Sequence, residues 1–180
     1  DMYHLAGLSE EDRVFTTAGL AIRKRLPWMI LNLAAVFALA AVIGLFRATL
    51  EQFIVLAFFL PVVAGMGGNG GIQTLTVITR GIALNEIEFS TGLRAIAKEF
   101  WVGTVIGIVT GLLSAGLAYL WHGSPMLGLV LSTAMIVTLA VASLLGAAVP
   151  LALKALRQDP ALGAGVIVTT LTDAVAFVTF

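Results

Sequence analysis

An all-α integral membrane protein with five transmembrane helices per chain is the fold class this sequence predicts, on three observations. Hydrophobic residues form 59% of the 180 positions and charged residues only 11%, with a mean hydropathy of +1.05. A soluble domain carries roughly a quarter charged residues to keep its surface wet, so here lipid must be the solvent. The apolar residues also fall in runs near the roughly 20 residues that cross a hydrocarbon core about 30 Å thick. Finally, the basic residues alternate between loops as an odd number of spans requires.

The elements follow in order. Ser9, with Asp12 three residues on, reads as a capping box that starts a helix. This amino-terminal segment, 1–26, is expected to be a cytoplasmic linker or amphipathic helix ending at the basic cluster Arg23-Lys24-Arg25, with a five-helix transmembrane pore domain over 27–180. Pro27 and Trp28 open the first span, 27–46. A second run, 53–66, is interrupted by Gly67-Gly68-Asn69-Gly70-Gly71 and resumes over 72–78. The segment 80–99 is too charged for lipid. The third span is 101–121, and His122-Gly123-Ser124-Pro125 is a turn by its glycine and proline chemistry. The fourth span, 126–153, ends near Pro150; Asp159-Pro160 is an N-cap and first-turn pair for the fifth, 161–180.

Five spans place Arg13, Arg23, Lys24, Arg25, Arg80, Arg94, Lys98, Lys154 and Arg157 on one side and only Arg47 on the other. That bias predicts a multi-pass protein of the inner (plasma) membrane with a cytoplasmic amino terminus. Trp101 and Trp121, about 30 Å apart along a helix, and Trp28 read as interfacial anchors. Gly103, Gly107 and Gly111 share one helix face and read as a packing seam. The absence of cysteine excludes disulfides and thiolate metal sites.

Two features point to chemistry. Nine of the ten acidic residues lie in polar segments; Asp173 alone sits in a span, about 18 Å along it. A carboxylate at that depth costs at least about 2.5 kcal/mol unless it faces water, a partner or a cation. The glycine run is the other feature. Each glycine weakens a helix by about 1 kcal/mol, and irregular backbone at membrane depth must be buried in protein or line a watery cavity. The freed carbonyls of the glycine run and the Asn69 side chain can then accept hydrogen bonds from water around an ion. Close helix packing through Gly67 and Gly71 is the alternative. Thr169 lies one turn before Asp173 on its face, so its carbonyl also lines that side, whereas the hydroxyls of Thr169, Thr170 and Thr172 are expected to bond backbone carbonyls.

A carboxylate with carbonyl and amide oxygens suits a hard cation such as Mg2+, which keeps most of its waters. One Asp per chain cannot neutralise a divalent ion, but a two-fold homodimer supplies two. The expectation is therefore a pore at or near the dimer axis, with Mg2+ as the transported and bound ion and lipid and a second copy as the partners. No nucleic-acid partner is expected. His4 and His122 lack companions, and no phosphate-loop, zinc-protease or nucleophile-elbow motif occurs, so the chain is not expected to be an enzyme. A second reading makes Asp173 the proton relay of a proton-coupled secondary transporter, but the membrane segments offer no further ionisable group for a relay. A third, a membrane scaffold, rests only on the packing glycines.

The stretch Pro61-Val-Val-Ala-Gly-Met-Gly-Gly-Asn-Gly-Gly-Ile-Gln73-Thr74, with Asp159-Pro-Ala-Leu and Thr170-Leu-Thr-Asp173, resembles the signature of the MgtE family of magnesium transporters and channels. The resemblance covers essentially the whole chain. It implies a homodimer whose pore is lined mainly by the second and fifth spans, an ion-site carboxylate at Asp173, and backbone-carbonyl contributors at Gly68 and Thr169. Ile72 stands where the family pattern often has a second Asn, which removes a polar group near the ion. The family's cytoplasmic regulatory part, a helical domain and paired CBS domains, is expected to lie outside this chain, and the opening Asp1-Met-Tyr-His-Leu-Ala-Gly7 resembles the end of the helix that links it to the membrane.

Overall fold

The computed structural model describes residues 17–45, 47, 54–87, 91–160 and 164–180. Five helices account for nearly all of them: α1 Ala18–Gly44, α2 Ile54–Ala83, α3 Gly92–His122, α4 Pro125–Ala155 and α5 Ala164–Thr179. The first four are long and apolar enough to cross a membrane; α5 is a shorter apolar helix of 16 residues. The expected capping box at Ser9 and the first residues of the fifth span, 161–163, lie outside the described residues.

Three expected boundaries are corrected. Helix α1 continues through Pro27, joining the basic cluster to the apolar run, and α4 continues through Pro150 to Ala155. Proline removes one backbone donor, but in a membrane helix neighbouring groups and local adjustment compensate. The glycine run, read as an interruption, is helical throughout, inside the unbroken α2. Four glycines weaken a helix by roughly 4 kcal/mol, whereas opening it in lipid would orphan several backbone groups at several kcal/mol each. The helix wins.

Packing is organised around α4, which contacts α2, α3 and α5 and carries the longest series of buried residues, many of them small: Ala134, Ala142, Ser143, Gly146 and Ala147. Small residues matter here because lipid gives helices no hydrophobic reason to associate, so close approach and dispersion contacts must do it. The seam expected on α3 is present. A Cβ on Gly107 would lie 2.9 Å from Ile136 Cα, and one on Gly111 would lie 2.9 Å from the Ser132 carbonyl. Helix α1 is the opposite case, with Leu39 its one buried residue and its main contact with α5.

The close approaches also fix direction. Gly103, Gly107 and Gly111 of α3 meet Ser143, Ile136 and Ser132 of α4, so these helices are antiparallel. Gly67 and Gly71 of α2 meet Thr138 and Ala142 of α4, ascending together, but Thr172 and Val168 of α5, descending. Helices α2 and α4 therefore run one way and α3 and α5 the other, as alternating spans must. At one end of this bundle α2 and α4 both finish in left-handed turns, at Asn85 (φ 57°) and Arg157 (φ 58°). In each, an amide bonds back five residues, Glu86 to Gly81 and Gln158 to Leu153, both at 2.9 Å. Lys154 Nζ donates to the Ile87 carbonyl at 2.9 Å, tying the two ends. The basic residues Arg80, Lys98, Lys154 and Arg157 gather at this end. At the other, Gly123 (φ 69°) makes the expected turn, and Ser124 caps α4 by accepting from the Leu127 amide at 3.3 Å.

Candidate functional site

Asp173 sits in the middle of α5, next to Thr172, and Thr172 lies against Gly67 of α2. The absent side chain of Gly67 is what admits α5 so closely: a Cβ there would lie 3.8 Å from both Thr172 Cβ and the Thr172 carbonyl, and 2.6 Å from a Thr138 methyl. The aspartate is half-buried, and its side chain makes no hydrogen bond or ion pair with the described residues. Gly68, next along α2, is open: a Cβ there would meet nothing within 4 Å. Ile72, one turn later on the same side, is also partly exposed, at 38%.

Thr169 lies on the Asp173 side of α5, but its bonding capacity is largely used. Its hydroxyl donates to Gly165 and Val166 carbonyls at 2.9 and 3.1 Å. Its own carbonyl accepts from Thr172 Oγ1 at 2.9 Å in addition to its helical bond. The expectation that hydroxyls here bond backbone carbonyls holds for Thr169 and Thr172 but not for Thr170, which makes no hydrogen bond among the described residues; the same pattern recurs in Thr76 to Ile72, Thr104 to Phe100 and Thr133 to Leu129, each at 2.8 Å.

Asn69 stands elsewhere on the circumference of α2. A helix turns about 100° per residue, which carries Asn69 round α2 from Gly68. It lines instead a cavity of about 340 Å³ among α2, α3 and α4, with Gln73, Thr74, Lys98, Glu99 and Ser143. Glu99 is the residue that sequence reasoning missed. Assigned to the charged segment before the third span, it lies inside α3, 5% exposed. Thr74 Oγ1 donates to its Oε2 at 3.4 Å and Lys98 Nζ to its Oε1 at 2.8 Å. A signal was available: Glu99 precedes Gly103 by four residues, on the same face as the glycine seam.

No group of three or more His, Asp or Glu side chains able to hold a metal occurs among the described residues. Among the described residues of the five helices, Asp173 is thus the carboxylate without a partner, next to the residue that packs on Gly67, and it suits a cation that keeps its own water.

Residues 60–180 match the MgtE family, described as divalent cation transporter. The chain is 37% identical over 172 residues to the magnesium transporter MgtE of Bacillus subtilis (strain 168), covering 95% of this chain and 38% of that protein. It is 31% identical over 175 residues to the magnesium transporter MgtE of Thermus thermophilus, covering 96% and 39%. Against the protein of the same name from Enterococcus faecalis the identity is 34% over 173 residues, covering 96% and 38%. The chain therefore spans under two-fifths of the length of the curated relatives it matches.

Proposed function

The chain belongs to the MgtE family of divalent cation transporters, and from that premise we propose that it carries Mg2+ across the plasma membrane as a homodimer. All five helices span the bilayer, and the end bearing Arg80, Lys98, Lys154 and Arg157 faces the cytoplasm, following the preference of basic loops for that side. Helices α2 and α5 of the two copies line the path. The observation that carries this reading is Asp173: a carboxylate in the middle of an apolar helix, with no bonding partner among the described residues of its own protomer. Such a group is expensive unless something positive or polar arrives from outside the protomer.

Two Asp173 carboxylates related by a two-fold axis supply two negative charges, matching one divalent ion. Mg2+ gives up its waters reluctantly, so the carboxylates hold it through its hydration shell. Gly68 serves in two ways. Its missing side chain leaves room for a hydrated ion, and its carbonyl, though a helical acceptor, keeps a second lone pair for an ion-bound water. Thr169 contributes less, because Thr172 already occupies its carbonyl. The segment 1–26 acts as a linker at the cytoplasmic face.

The test is Mg2+ flux through the purified chain in liposomes, with dimer assembly checked by crosslinking. Asp173→Asn is expected to cut flux by at least about 100-fold while the dimer still assembles. Normal flux in that variant would remove the paired-carboxylate mechanism. Flux of another solute that follows a proton gradient and needs no Mg2+ would favour a proton-relay role instead.

A further inference from the structure

The cavity beside α2 is separate from the Asp173 path and has its own chemistry. Its walls bring together one carboxylate, Glu99, two amides, Asn69 and Gln73, and two hydroxyls, Thr74 and Ser143. Glu99 is sealed to the cavity side: its side chain is 7% exposed, whereas that of Lys98 beside it is 67% exposed. Among the described residues, the side chains of Asn69, Gln73 and Ser143 make no hydrogen bond. Ser143 is buried, at 4% exposure, while Asn69 and Gln73 are exposed on the protomer surface beside it, and polar groups on a membrane-spanning helix need partners that lipid does not supply. Their convergence on one buried carboxylate is the unexplained feature.

We propose that this cavity is a second divalent-cation site, holding a hydrated ion between the Glu99 carboxylate and the Asn69, Gln73 and Ser143 oxygens. The donor set is all oxygen, which suits a hard cation. Size agrees: six waters at about 30 Å³ each occupy roughly 180 Å³, inside the 340 Å³ available. Charge agrees as well. The Lys98 ammonium, 2.8 Å from Glu99 Oε1, already balances the carboxylate from the exposed side, and a flexible, mostly solvated lysine is a cation that can be displaced. Thr74 lies seven residues beyond Gly67, so Glu99 sits about 10 Å nearer the basic end of the bundle than Asp173. An ion there links α2 to α3, two helices that otherwise touch little.

The site stands on its own geometry and does not need the Asp173 mechanism. Binding of Mn2+, a paramagnetic substitute displaced by Mg2+, is followed by electron paramagnetic resonance on the full chain in detergent. In Asp173→Asn, one Mg2+-displaceable Mn2+ per protomer is expected to remain. Adding Glu99→Gln, which keeps the shape and the Thr74 hydrogen bond, should weaken that binding at least tenfold. Lys98→Met should tighten it several-fold, because it removes the competing ammonium; a merely structural ion pair would show no such gain. If Glu99→Gln lowers the melting temperature enough to obscure binding, the pair Asn69→Leu and Gln73→Leu reads the same site without touching the ion pair. The proposal is overturned if Asp173→Asn alone abolishes all Mn2+ binding, if neither cavity variant weakens it, or if excess Na+ displaces it as readily as Mg2+. Failure of the Asp173 mechanism shows separately, as undiminished flux in Asp173→Asn.

Discussion

Helices α2 and α3 each carry a series of glycines, and the two series do different things. On α3 the spacing is every fourth residue, so Gly103, Gly107 and Gly111 fall on one face, and all three press against the α4 backbone or its buried side chains. On α2 the glycines are nearly consecutive, so they point round the helix. Gly67 and Gly71 admit α5 and α4, and Gly70 admits Leu139, but Gly68 admits nothing from its own protomer. Helix propensity opposes glycine at every one of these positions by about 1 kcal/mol. Packing answers for six of the seven. The seventh, Gly68, is open, as are Gly65 of α2 and Gly116 of α3, and it alone of these three adjoins Gly67 and so the α2–α5 contact next to Asp173.

The largest effect that would test this contrast is loss of the fold. Gly107→Val places branched carbons where Ile136 Cα already stands 2.9 Å from the first added carbon. Backbone cannot retreat as a side-chain methyl can, so α3 must move away from α4, opening the most extensive contact in the bundle. The expected outcome is aggregated protein, or a melting temperature lowered by 10 °C or more, on the order of 2–4 kcal/mol. A Gly107→Val chain that elutes and melts like the parent would show that the seam is looser than its geometry states.

Gly68→Ala is the converse, with function lost and the fold kept. Nothing in the protomer meets the new methyl, and alanine favours the helix over glycine by about 0.5–1 kcal/mol. The protein should melt at the same temperature or slightly higher. Flux should nonetheless fall about tenfold, because a methyl group occupies space meant for ion-bound water. Full flux with unchanged melting would place that face of α2 against lipid and detach Gly68 from the path.

The same contrast shows what could be read from the sequence. The spans, the turn at Gly123 and the seam on α3 were legible because composition and four-residue spacing are one-dimensional signals that survive folding. The glycine run was misjudged because propensity speaks for break while the bilayer, which forbids orphaned backbone, speaks for helix. Pro27 and Pro150 misled for the same reason. Asp173 was visible as a lone charge in an apolar run. Glu99 was hidden because α3 begins at Gly92, well before its apolar stretch, so a residue counted with the polar loop is in fact inside the bundle. Asn69 and Gly68 are neighbours in sequence yet about 100° apart round α2, and the sequence alone does not show that Asn69 lines the cavity with Glu99.

The smallest expected effect concerns Ile72, which follows Gly68 by one turn and is 38% exposed. If this face lines a water-filled path, an aliphatic side chain there offers the ion's hydration shell nothing. Ile72→Asn restores an amide able to bond one ion-held water. A single such bond contributes about 0.5–1.5 kcal/mol net, which corresponds to a roughly two- to tenfold lower half-saturating Mg2+ concentration. Stability should barely change, since the two residues differ little in helix propensity and the position is not buried. Concentration-dependent flux in liposomes reads the shift directly, and Mn2+ or Ca2+ competition shows whether the amide also sharpens selectivity. An unaltered half-saturation would mean that Ile72 meets lipid tails, and because Ile72 and Gly68 share a face, it would argue against the path running past Gly68 as well.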